Sequence, residues 1–149
     1  MIELARAAHV LGVVWWIGGV AMVTATLWPV LVRGSLSEPE RLQLFREIRG
    51  RFVWQVRGAV LVVGATGAYL VSRLGGLARL DWADGWWIDL MILTWGVFFM
   101  MLFVLEPLGV MQKTRLMQRP RAFLGVHVVL LCLGLAAITA AVIGSHGGW

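Results

Sequence analysis

Apolar residues gather along this chain into four long blocks separated by shorter polar stretches, at about residues 5–32, 52–74, 86–111 and 122–144. Each block is near or above the roughly 20 residues that a helix needs to cross a bilayer core. The pattern therefore predicts four transmembrane helices. Between the first two, RGSLSEPERLQLFREIRGR opens with Ser35, Ser37 and Pro39 and then sets Leu42, Leu44, Phe45 and Ile48 among arginines, which predicts a short amphipathic helix in the interface. The later connections, RLGGLARLDWADG and QKTRLMQRPR, are short enough that neighbouring helices should be antiparallel. The expected fold is all-α: a four-transmembrane-helix up-down bundle forming a single transmembrane domain over 1–149, with no clear internal repeat and no low-complexity tract.

Composition agrees. With 60% hydrophobic and 14% charged residues and a mean hydropathy of +0.82, the chain is too apolar for a soluble domain. A net charge of +5 has no soluble basic face to sit on, so it argues against nucleic acid and is read for its placement along the membrane. Arg33, Arg41, Arg46, Arg49, Arg51, Arg57, Lys113, Arg115, Arg119 and Arg121 fall on one side, and Arg6, Arg73 and Arg79 on the other. Ten cations against three put the first side in the cytoplasm. Both termini then face outward, which in a bacterium means a multi-pass protein of the inner membrane with N and C termini in the periplasm. Trp82, Trp86, Trp87 and Trp149 would mark the outer boundary and Trp28 and Trp54 the inner one, with Trp15, Trp16 and Trp95 deeper. Arg6 precedes an apolar run longer than a signal-peptide core and without a small-x-small site, so the first helix is expected to be retained. The single cysteine, Cys132, lies in an apolar run, can form no internal disulfide, and reads as a small core residue.

This topology sorts the histidines by depth. His9 opens the first helix and His146 follows the fourth, both at the outer side, so the two can share a ligand. His127 lies near the inner side, since the nineteen residues to His146 rise roughly 28 Å, and it cannot join them. On the face of His9, Gly12 and Trp16 follow at i+3 and i+7, leaving room for a flat group or, more plainly, for the approach of another helix. The outer cluster is His9 and His146 with Asp89 and Met91 from the start of the third helix. A pair of imidazoles across a bundle suits b-type haem, whereas histidine with methionine suits cuprous copper. The plainer reading has His146 solvated and His9 bonded to a carbonyl or snorkelling to the interface. An inner cluster combines Arg57, Glu106 and His127, either as an ion pair or as an anchor for a propionate or quinone head group or a station on a proton path.

The phrases AHVLGVVWWIGG, GRFVWQVRGAVLVVGATGAYLV, MMLFVLEPL and IGSHGG resemble an uncharacterised branch of the CopD-like and related small four-helix bacterial membrane proteins, with distant similarity to HemJ-type proteins. The CopD resemblance implies periplasmic copper uptake. The HemJ resemblance implies b-type haem, with His9 as the carried-over ligand. The chain is thus expected to bind haem b or a metal near the periplasmic face for electron transfer or assembly. A copper-handling protein and a cofactor-free accessory subunit of a membrane complex are the alternatives, the last packing through Gly64 and Ala68 or Ala137 and Ala141. Expected partners are membrane lipid and another membrane redox protein or a periplasmic carrier, with self-association left open. No hydrolytic triad, phosphate loop or dinucleotide fingerprint is present.

Overall fold

The computed structural model describes residues 1–33, 35, 37–75, 85–109 and 120–145. Among them the secondary structure is helical, and four helices are long and apolar enough to cross a membrane: Ile2–Leu31, Glu38–Arg73, Trp86–Leu105 and Ala122–Gly144. The first consists of α1 (Ile2–Met22), a π-helical turn (Val23–Leu27) and α2 (Trp28–Arg33). The second is α3 (Glu38–Arg73), the third is α4 (Trp86–Met100) with a π-helical turn (Met101–Leu105), and the last is α5 (Pro120–Ser145).

The second helix departs from the expectation. No separate interfacial helix precedes it: α3 begins at Glu38, not near Phe52, and runs 36 residues to Arg73. At 1.5 Å per residue that is about 54 Å, well beyond a hydrocarbon core of about 30 Å. Ser37 starts the helix, its N–H donating to the Glu40 carboxylate at 2.9 Å, with Pro39 in the first turn where a missing N–H costs nothing. Nothing after it is strong enough to stop the helix, since Gly50 costs only about 1 kcal/mol in a helix interior. The residues read as an interfacial face instead dock on the bundle: Phe45 is buried with Trp28, Leu31 and Phe123. Three of these rings meet edge-on or tilted, at centroid distances of 4.4 to 5.6 Å.

The two π-helical turns share a cause. Trp28 N–H reaches back five residues to Val23 O, and Glu106 N–H reaches back five to Met101 O. A proline follows each, Pro29 and Pro107. A proline ring inside a helix collides with the carbonyl four residues back, and one extra residue in the preceding turn moves that carbonyl away. The third span ends in a turn over residues 106–109, closed by Gly109 at φ 66°, so it is shorter than the expected 86–111. Residues 110 and 111 lie outside the described residues.

Residue pairs between helices run in opposite order. His9 lies on Gly67, Gly12 meets Val63, Gly19 meets Phe52, and Trp28 meets Phe45 along α1, α2 and α3. Between α3 and the third span, Gly64 receives Trp95, whose Nε1 donates to Val60 O at 2.9 Å, and Arg57 and Arg49 reach Leu102 and Glu106. Along α5, Phe123 meets Trp28, Gly134 meets Ile17, and Gly144 meets Trp87. The central core is Trp16, Ile17, Val20, Val56, Val60, Val63, Phe98 and Leu130. Trp15, Val14, Leu93 and Val129 lie exposed on the outer surfaces of the helices, as lipid-facing residues would. Cys132 is exposed as well, so it is not the core residue its apolar setting suggested. Gly64 and Ala137, read as surfaces for a partner, are used within the chain, the first against Trp95 and the second buried.

Candidate functional site

Polar side chains collect at two depths. At the level where α3 meets the turn after α4, Arg57 Nη2 donates to Glu106 Oε2 at 2.7 Å and Arg49 Nη2 to Glu106 Oε1 at 3.1 Å. Arg57 also directs Nε and Nη2 onto Leu102 O, at 3.1 and 2.8 Å. That carbonyl lacks a backbone donor for a specific reason. Its α-helical donor, the N–H of Glu106, has gone to Met101, and its π-helical donor would be Pro107, which has none. The guanidinium thus caps the carbonyl freed by the proline and neutralises the carboxylate beside it. Trp54 and Phe103 cover its faces, with ring centroids 5.1 and 5.6 Å away.

Glu106, Arg49 and His127 line one cavity of about 100 Å³. The rest of its wall is apolar and includes Phe45, Phe52, Phe98 and Phe123, together with Val23 and Leu27 from one π-helical turn and Met101 and Leu102 from the other. Turns of this kind cluster at functional sites, and here both border the same space. His127 Nδ1 lies 3.0 Å from Phe123 O, and its ring packs on that of Phe123 at 4.2 Å. A carbonyl only accepts, so Nδ1 carries the proton and Nε2 the lone pair. The expected inner trio is therefore together in part. Arg57 and Glu106 are joined, and His127 shares the cavity with Glu106, its described hydrogen bond being to its own helix. Arg49 completes the group. Sequence reasoning counted it for orientation alone, and the signal that would have found it is the continuity of α3, which sets Arg49 about two turns before Arg57.

At the opposite end, His9 Nδ1 lies 3.1 Å from both Val63 O and Thr66 Oγ1. The Thr66 hydroxyl donates to Val62 O at 2.6 Å, so it presents a lone pair to the imidazole. Nδ1–H is then the donor, and Nε2 keeps a free lone pair with no described partner. Gly12, one turn on, is filled by its neighbour: a Cβ there would stand 2.8 Å from Val63 Cγ2. Trp16 is buried edge-on to Phe98 at 4.6 Å. Three buried polar atoms have no hydrogen-bond partner among the described residues: Trp16 Nε1, Asp89 Oδ2 and Thr94 Oγ1. Asp89 lies in the first turn of α4 and Met91 two positions on. Residues so spaced face about 200° apart around a helix, so only one of the two can turn toward His9. His146 lies outside the described residues. Among the described residues no three His, Cys, Asp or Glu side chains converge as metal ligands.

The chain matches no family model, no curated protein and no solved structure.

Proposed function

We propose that the chain is a bacterial inner-membrane protein that holds a b-type haem or a metal ion near the periplasmic face through His9 and His146, serving electron transfer or its assembly. In this reading the four helices form an up-and-down bundle with both termini outside. The opposed order of residue pairs between helices supports the bundle, and the ten-to-three placement of lysine and arginine supports the orientation.

The observation that carries the reading is the tether on His9. An imidazole whose Nδ1–H is held by a backbone carbonyl, with no partner for Nε2 among the described residues, is oriented and polarised as metal-ligating histidines are. Asp89 adds to it, because a buried carboxylate oxygen with no partner among the described residues is costly unless a cation, a donor or a proton meets it. A haem would supply one-electron chemistry. The protein would contribute the His9 imidazole to hold it, the hydrogen-bonded orientation of that ring and the apolar surroundings that exclude water. Gly12 packs on Val63 and Trp16 on Phe98, so neither is the face that would meet the group. The copper reading, which the CopD resemblance implies, takes Asp89 or Met91 beside the histidines, and the unpartnered Asp89 oxygen is what favours it.

The test is the oxidised and dithionite-reduced spectrum of the purified protein, with metal analysis, for the native chain and for His9→Ala and His146→Ala. A Soret band with sharp reduced α and β bands, lost in both variants, is the expected result. Stoichiometric copper without a Soret band moves the assignment to copper handling. A colourless, metal-free protein that co-purifies with a membrane partner leaves the accessory subunit.

A further inference from the structure

The inner cavity lies apart from His9. His9 packs at the level of Gly67 on α3, whereas the cavity is lined from that helix by Phe45, Ile48, Arg49, Phe52, Val53 and Val56. The eleven residues from Val56 to Gly67 rise about 16 Å, so a group held by His9 does not fill it.

Size and polarity narrow the occupant. At about 100 Å³ the space is smaller than the roughly 300 Å³ at which whole-cofactor and drug-sized sites begin, so it suits one ring. Water alone fits poorly. A space of this size holds several molecules, each wanting two to four polar partners, and the lining offers three polar side chains, two of them bonded to each other. Four phenylalanine rings form much of the wall, which suits a flat, mostly apolar group.

The polar groups specify the edges of that ring. Arg49 and Arg57 share one carboxylate, which leaves an excess positive charge at the cavity. Of the five N–H donors on Arg49, one has a described partner, the Glu106 carboxylate. Arg49 therefore offers donors to a carbonyl oxygen. His127, its Nδ1–H held by Phe123 O, offers the Nε2 lone pair to a hydroxyl. A donor on one residue and an acceptor on another match a ring that exchanges carbonyl for hydroxyl. A ligand dissolved in the bilayer would also reach this depth without crossing an aqueous phase. We propose that the cavity between the two π-helical turns binds the head group of a lipid-soluble quinone, with Arg49 and His127 as its polar contacts.

The proposal does not depend on the group bound at His9. Its test is isothermal titration of the nanodisc-embedded protein with ubiquinone-1, and with its reduced quinol, beside Val53→Phe to fill the cavity, His127→Leu to remove the acceptor, and Thr139→Val on the exposed side of α5. Saturable binding is expected for the native chain and Thr139→Val, weakened at least tenfold in Val53→Phe and His127→Leu, with the His127 loss larger for the quinol. No saturable binding to the native chain, or native affinity retained in both cavity variants, overturns it. A photoreactive azido-quinone applied to the native protein guards against a variant that fails to fold. Crosslinks within Phe45–Val56 or Phe98–Glu106 support the site, and crosslinks confined to outward residues such as Leu93 and Val129 overturn it.

Discussion

Two guanidiniums on one carboxylate make the inner cluster unequal to perturbation. Removing Arg49 leaves Arg57 and Glu106 as a neutral pair with Leu102 O still capped. Removing the charge of Glu106 leaves two cations about a fifth exposed at membrane depth. Breaking a fully buried pair costs 3–5 kcal/mol, and the partial exposure here reduces the cost of Glu106→Gln to about 2 kcal/mol. Arg49→Gln should cost under about 1 kcal/mol. Reversible unfolding in mixed detergent micelles measures both, and equal losses would show that the two arginines do not share the carboxylate as drawn. The pairing of Arg57 with Glu106 was legible in the sequence, because intramembrane charges of opposite sign at one depth have few other solutions. The bond of Arg57 to Leu102 O was not, because it depends on which carbonyl Pro107 deprives, and that is settled only by the π-helical register.

At the level of the helix, the long α3 is started by one capping arrangement and docked in its early turns by Phe45. Ser37 N–H and Glu40 close the first turn, and Phe45 fixes the second and third against Trp28 and Phe123. Replacing Glu40 by Ala should cost about 1 kcal/mol, in the range of cap losses. Because Phe45 and the Arg49–Glu106 ion pair still hold the following turns to the bundle, the loss should be local. Hydrogen exchange is expected to rise over residues 38–44 and to remain unchanged over 52–73. A uniform rise along the whole helix would instead mean that the inner end nucleates the entire span. This segment is also where sequence reasoning erred most. An amphipathic stretch rich in arginine reads equally well as a helix lying in the interface or as the extension of a spanning helix, and hydropathy cannot separate them. The difference lies in Phe45, whose destination is an aromatic cluster built by two other segments, α2 and α5. The ends of the odd-numbered spans were more legible than they looked. LWP at residues 27–29 and LEP at 105–107 both place a proline after an apolar run, and both mark a π-helical turn beside the same cavity.

For the molecule as a whole, orientation decides what each cluster can meet. The arginines of α3 are concentrated before Val60, at Arg41, Arg46, Arg49, Arg51 and Arg57, with Arg73 alone at the far end. In the orientation we propose from the positive-inside bias, the cavity of Arg49, Glu106 and His127 lies toward the cytoplasm and His9 toward the periplasm. Cysteine labelling in intact spheroplasts checks this with a membrane-impermeant maleimide. In a Cys132→Ser background, Leu74→Cys should react directly and Ser35→Cys only after permeabilisation. The native Cys132 lies on the exposed side of α5, twelve residues or about 18 Å from Pro120, and should resist the reagent from both sides until the protein is denatured. Reaction of Ser35→Cys before permeabilisation, with Leu74→Cys protected, would invert the protein. His9 would then meet cytoplasmic partners, a periplasmic carrier would have no access to it, and the outer-face reading of the haem or metal site would fall even with the ligand in place. The inner cavity would survive that inversion as a ligand site, since its walls and polar contacts are intramolecular, but any proton exchanged there would come from the periplasm.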